Sequence, residues 1–228
     1  MSRRGFIVSL VLMMLISTWT PMADEVLHDL PVLQQSVSDD VNGAEDYTIV
    51  YQLDIPDDSE YNNQPIPYSV DSSSSIDFDF DRVAYYLELE KPNEDRTWVF
   101  VSFPSLTTHA DKLGVPTFSS GTVYNQLLTD VEVQSNHENL SSLGVIDTGV
   151  IEFWGTNYGT SNSLGVPNGD DSSYDFADAQ WNSDSAGYGS MQIHDYESGQ
   201  TLFAYNAWGS SNTDEVGIGS NPNIDENP

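Results

Sequence analysis

Two runs of β-forming residues, "RVAYYLELE" (82–90) and "TWVFVSF" (97–103), flank the polar stretch "KPNEDR". This pattern constrains the chain more than any other. Strand-forming runs joined by a short polar loop read as an antiparallel hairpin. The second run is apolar on both faces, which places it inside a sheet rather than at its edge. The theme repeats along the chain. "YTIVYQL" (47–53), "DVEVQS" (130–135), "GVIEFW" (149–154), "SMQIHD" (190–195) and "TLFAY" (201–205) are all short and rich in β-formers. "SIDFDFD" (75–81) alternates strictly, with Ile76, Phe78 and Phe80 on one side and aspartates on the other, and so predicts a strand with one wet face. Helical spacing is confined to 107–130, where Thr107 or Thr108 can cap "HADKLG" before Gly114 and Pro116 stop it. No regular alternation of strand and helix argues for a parallel α/β sheet. The expectation is an all-β chain: an antiparallel two-sheet β-sandwich, jelly-roll-like, with one or two short helices. Its predicted core is Ile76, Phe78, Phe80, Val83, Tyr85, Leu87, Val99, Val101, Phe103, Ile151, Phe153, Ile193 and Phe203.

The ends of the chain read differently. Arg3 and Arg4 precede an apolar run from Phe6 to Ile16, and small and polar residues lead to Ala23. That is the layout of a secretory signal peptide, 1–23, too short for a comfortable membrane span. Residues 24–46 read as an acidic linker and 47–208 as the β domain. Residues 209–228 read as a polar tail, the start of a continuation of that domain. The chain holds no cysteine, so an exported fold must rely on its core rather than on disulfides.

Charge excludes several partners. With 36 Asp and Glu against 6 Lys and Arg the formal net charge is −30, and cleavage after Ala23 would also remove Arg3 and Arg4. Nucleic acid and anionic membrane surfaces are repelled. A secreted or cell-surface location follows, with no membrane contact after signal cleavage.

The catalytic signatures that sequence alone can reveal are sparse. The chain has no G-x-S-x-G elbow, no H-E-x-x-H and no phosphate-cradling glycine loop with a lysine. Glu88 and Glu152 are strand-borne carboxylates of the type glycoside hydrolysis uses, but sequence fixes no separation between them. Gln192 and His194 lie two apart on one strand and share a face. "QIH" (192–194) resembles the Gln-x-His strand of jelly-roll alginate lyases, and "VYNQ" (123–126) resembles another of their motifs. Here the two come in reversed order and the arginine-rich strand is missing, which leaves a jelly-roll lyase or glycoside hydrolase as the alternative.

The stretch 155–189 is the main candidate for function, because a loop of this length in a compact domain is uncommon and often functional. Asp170, Asp171, Asp175, Asp178 and Asp184 supply hard oxygen ligands of the kind Ca²⁺ takes. Asp170, Asp171, Asp178 and Asp184 form the expected metal set. "NSDSAG" (182–187) begins like an EF-hand loop, but its twelfth position is Ile193 rather than Glu, so it is not one. Tyr158 and Trp181 stand in polar surroundings, where an aromatic ring can serve as a platform for a sugar. With Asn157, Asp175 and His194 they make up the expected ligand-binding set, and a glycan is the expected partner.

The ordered series "FDRVAYYLELE" (80–90), "VFVSF" (99–103), "LGVPTFSSG" (113–121), "IEFWGTNYG" (151–159), "YDFAD" (174–178), "GYGSMQIHDY" (187–196) and "QTLFAYNAW" (200–208) resembles a β-rich accessory domain of large secreted bacterial proteins. Some of those proteins are labelled sialate O-acetylesterases. The resemblance implies an accessory domain, a fragment of a longer protein that has a separate catalytic domain and another strand past Pro228; export, the expected sandwich, the sparse catalytic signatures and the aromatic polar loop lead to the expectation of a non-catalytic carbohydrate-binding or adhesion-like module. "GDDS" (169–172) is not the G-D-S-[LI] block of such esterases, so their catalytic serine is not carried over.

Overall fold

The computed structural model describes residues 9–17, 37–55, 68–90, 95–114, 123–154, 190–206, 215–219 and 224–225. Its strands are β1 (Ser9–Ser17), β2 (Tyr47–Ile55), β3 (Val70–Asp71), β4 (Arg82–Glu90), β5 (Thr97–Pro104), β6 (Val123–Ser135), β7 (Gly144–Trp154), β8 (Ser190–Asp195), β9 (Thr201–Asn206), β10 (Glu215–Ile218) and β11 (Ile224–Asp225). They form one 11-stranded sheet in the order β11-β10-β9-β8-β7-β6-β5-β4-β1-β2-β3. Every neighbouring pair is antiparallel. The all-β expectation holds. From β4 to β11 the chain is a plain meander, and only β1 breaks sequence order by lying between β2 and β4.

The β4–β5 hairpin explains why the second run is apolar on both faces. Val83↔Phe103, Tyr85↔Val101 and Leu87↔Val99 pair across the strands on one face, and Tyr86↔Phe100 and Glu88↔Trp98 on the other. The first face joins Leu128, Val131, Val133, Ile151, Met191, Ile193, Phe203 and Ile218 in the main core. The second packs under Val37, Val41 and Ala44, with Ile49 and Trp98 beside them. Residues 37–46, within the stretch read as a linker, thus contribute buried side chains from a helical turn and the 3-10 turn Ala44–Asp46.

The sheet curls over on itself. β4 and β9 are five places apart in the strand order, which in a flat sheet is roughly 24 Å at about 4.8 Å per strand. Yet the rings of Tyr85 and Phe203 lie 6.3 Å apart. Strand twist and the bulge between Ile193 and His194, where Ile193 faces Phe203 but His194 faces Thr201, accommodate part of this curvature.

Three sequence readings are corrected. The alternating "SIDFDFD" is not a strand: Ser73–Ser75 is a 3-10 turn and 76–81 runs irregularly. Asp71 takes the backbone N–H of Ser73 at 3.1 Å and its hydroxyl at 2.7 Å, a local turn that competes with strand pairing. The segment carries the chain from β3 at the sheet edge back past β2 and β1 to β4, so it has no strand neighbour to pair with. Phe80 is buried and Ile76 packs on the core, but Phe78 is 37% exposed and leaves the predicted core. Phe153 lies on β7, and its side chain is outside the described residues.

Second, among the described residues of 107–130 the helical part is the 3-10 turn Ala110–Lys112, and 123–130 is strand, the first half of β6. Thr107 Oγ1 accepts the His109 N–H at 3.1 Å rather than capping the turn itself. Pairing of Val123–Thr129 with β7 overrides the weak local preference for helix. Third, the polar tail contains β10, and Ile218 is fully buried in the main core. A four-residue strand with two apolar positions is too short to show a period.

Candidate functional site

The loop 155–189 leaves and rejoins the sheet at one end of the β7–β8 hairpin, where Trp154 pairs with Ser190. Tyr158, Trp181, Asn157, Asp175 and the acidic set Asp170, Asp171, Asp178 and Asp184 all lie outside the described residues. The hairpin that carries them is described. Ile151 and Ile193 pair within it and are fully buried.

His194 sits on that base. It is 2% exposed, pairs with Val150, and its Nδ1 lies 3.3 Å from the Thr201 hydroxyl on β9. Gly149 makes room for this packing: a Cβ there would come within 3.1 Å of Val131 Cγ2 and 3.3 Å of the His194 carbonyl oxygen. Gln192 pairs with Glu152 in register, and both side chains lie outside the described residues.

The adjacent Asp195 does not form a triad with a free serine. Its carboxylate accepts the Ser142 hydroxyl at 2.6 Å, the Ser198 hydroxyl at 2.8 Å and the Glu197 N–H at 3.0 Å, tying the β8–β9 turn to the segment before β7. Gln200 extends the tie, accepting from Ser141 and Ser142 N–H groups and donating to the Asn139 carbonyl. Each of these bonds orders a turn, which is a structural task.

A second cluster of ionisable groups lies beneath the 37–46 segment. Arg96 Nη1 contacts Glu88 at 2.5 Å and Asp40 at 2.6 Å, and Nη2 donates to Asp40 at 2.8 Å. The Tyr86 hydroxyl bridges to Asp40 at 2.9 Å and Glu88 at 3.0 Å. In the sequence Glu88 is one of two strand-borne carboxylates of the type glycoside hydrolysis uses, and Asp40 falls in the stretch that reads as a linker. In the fold Glu88 is 6% exposed and clamped by a guanidinium. No local motif marks this cluster, because its members come from three separate segments.

Burial first, and then the Glu88 and Asp40 charges, push the Tyr86 phenol well above its ordinary 10.0. A folded-state value raised above the unfolded one gives stability that is complete below about pH 10 and is lost as pH rises beyond it. Urea midpoints measured from pH 8 to 11 should therefore fall for the wild type, and fall less steeply for Tyr86→Phe. Parallel slopes would show that the phenol is not protected.

Among the described residues no group of three or more His, Cys, Asp or Glu is placed to hold a metal ion. No protein family, curated protein or solved structure is matched by the chain.

Proposed function

We propose that this chain is a secreted, non-catalytic carbohydrate-binding or adhesion-like accessory module. In this reading the curled sheet acts as a jelly-roll-like β-sandwich whose facing halves support the loop 155–189. The observation that carries it is the loop's origin: a long stretch with Tyr158 and Trp181 in polar context, mounted on the β7–β8 hairpin with its buried base. Aromatic platforms beside amides and carboxylates suit sugar rings. Burial of His194 against Thr201, and of Glu88 under Arg96, favours binding over turnover by these groups. One Ca²⁺ held by Asp170, Asp171, Asp178 and Asp184 would order the loop and bridge it to a glycan. The strong negative charge favours neutral or cation-bridged glycans.

A glycan array probed with and without millimolar Ca²⁺ tests this. Weak binding is expected, lost in Tyr158→Ala and Trp181→Ala, while His194→Ala lowers the melting temperature without creating or abolishing any turnover. Calcium added after chelation should raise the melting temperature by mass action. Release of products from an arrayed glycan, abolished by His194→Ala, would make the chain an enzyme. A blank array would make it a spacer.

A further inference from the structure

The stretch that reads as a leader also occupies an interior position in the sheet. β1 pairs with β4 from Ser9↔Glu90 to Ser17↔Arg82, and with β2 from Leu10↔Ile55 to Ser17↔Tyr47. Being antiparallel to both, it separates two strands that run parallel to each other. Two strand spacings, roughly 10 Å, lie between β2 and β4, too far for direct hydrogen bonds. Without a strand between them, both would present rows of unpaired backbone N–H and C=O groups.

Contacts that do not involve β1 hold that gap open. The Tyr47 hydroxyl is 2.6 Å from Ser102 Oγ on β5, and its ring meets Phe100 edge-on at 5.5 Å. Ile49 of β2 shares a cluster with Ala84, Tyr86 and Phe100. On the β4 side of the gap every residue from Val83 to Leu89 is buried, and all but Glu88, which Arg96 pairs, are apolar or aromatic. A strand that fills the gap must itself be apolar on both faces for about seven residues. "LVLMMLI" (10–16) meets that demand. The sequences of 18–36, 56–67 and 115–122 do not, being interrupted by prolines and polar residues, nor does that of 155–189, which is dominated by Gly, Asn, Ser and Asp.

We propose that the position between β2 and β4 is a strand-acceptor slot whose occupant is Ser9–Ser17 of this same chain, kept as an integral strand of the folded protein. Leader and core strand are then one segment, and its removal opens the sheet at its interior rather than trimming an end. This inference is independent of the glycan reading.

The test uses the full chain. Amide hydrogen exchange should show residues 10–16 protected to the same degree as β2 and β4. Met13→Pro, opposite both Gln52 and Tyr86, should lower the melting temperature by about 10 °C, since proline removes a ladder donor inside a sheet. Glu25→Pro, outside the strand, should not. A variant with a protease site inserted after Ala23 provides a readout that does not depend on a mutant strand folding. After cutting the folded protein, the N-terminal peptide should stay bound under native conditions, or leave only with loss of protection in β2 and β4. Unprotected amides at 10–16, or release of the peptide with β2, β4 and the melting temperature unchanged, would overturn the proposal. Release followed by dimerisation would overturn it too, assigning the slot to a second copy. A folded protein recovered from its host with its N-terminus at about residue 24 and the same protection of β2 and β4 would do the same.

Discussion

Phe203→Ala should destabilise the protein by about 3–5 kcal/mol, the usual cost of emptying a buried phenylalanine site. The ring is fully buried in the main core and faces Tyr85 across the curl of the sheet, 6.3 Å between centroids. It therefore does more than fill β9: it is a contact through which strands far apart in sheet order meet. A cavity there cannot close by a local shift, because its walls belong to β4, β8 and β9 and each is held by its own ladder. Chemical denaturation should show the full loss with little change in slope. Val145→Ala, at a residue 68% exposed, serves as the control and should be near neutral. A loss below about 1 kcal/mol in Phe203→Ala would mean that the two parts of the sheet do not depend on each other.

Arg96→Ala should cost about 2–4 kcal/mol, or roughly 5–10 °C in melting temperature for a domain of this size. The figure lies toward the low side for a buried ion pair because the Arg96 side chain is 34% exposed and partly screened. Its partners are better covered, Glu88 at 8% and Asp40 at 14%. Removing the guanidinium leaves two carboxylates and a phenol facing each other under a protein-covered surface. Lysine should rescue only part of the loss, since a point charge cannot span Asp40 and Glu88 as the planar fork does. Adding Glu88→Gln to Arg96→Ala should recover some stability by removing one uncompensated charge. The measurable consequence extends beyond the pair: protection of residues 37–46 should fall with it, because Asp40 is the polar tie of that segment to β4 and β5. An Arg96→Ala protein with unchanged melting and unchanged protection at 37–46 would reduce the cluster to decoration.

Glu88 and His194 attract attention in the sequence because carboxylates and imidazoles on strands can be catalytic. In the fold both are buried, Glu88 under an arginine and His194 against a threonine.

Sequence by itself determined the antiparallel β class, the bounds of β4 and β8, and the part of the main core carried by β4, β5 and the centres of β7, β8 and β9. Those follow from short-range physics: β-branched and aromatic residues packed on a pleated surface, and polar loops between them. "RVAYYLELE" became β4 and "SMQIHD" became β8 residue for residue. Tertiary structure decided the rest. "SIDFDFD" has the right alternation for a strand, but its place as the return path to β4 leaves it no partner, and alternation without a partner makes no ladder. "VYNQLLTD" became strand because β7 offered a ladder. Arg96 found Asp40 because the 37–46 segment folds back over β4 and β5, a contact across 56 residues. The strand order around β1 was equally hidden, because an apolar run records only that it must be buried, whereas its neighbours are chosen by which backbone groups the rest of the sheet leaves unpaired.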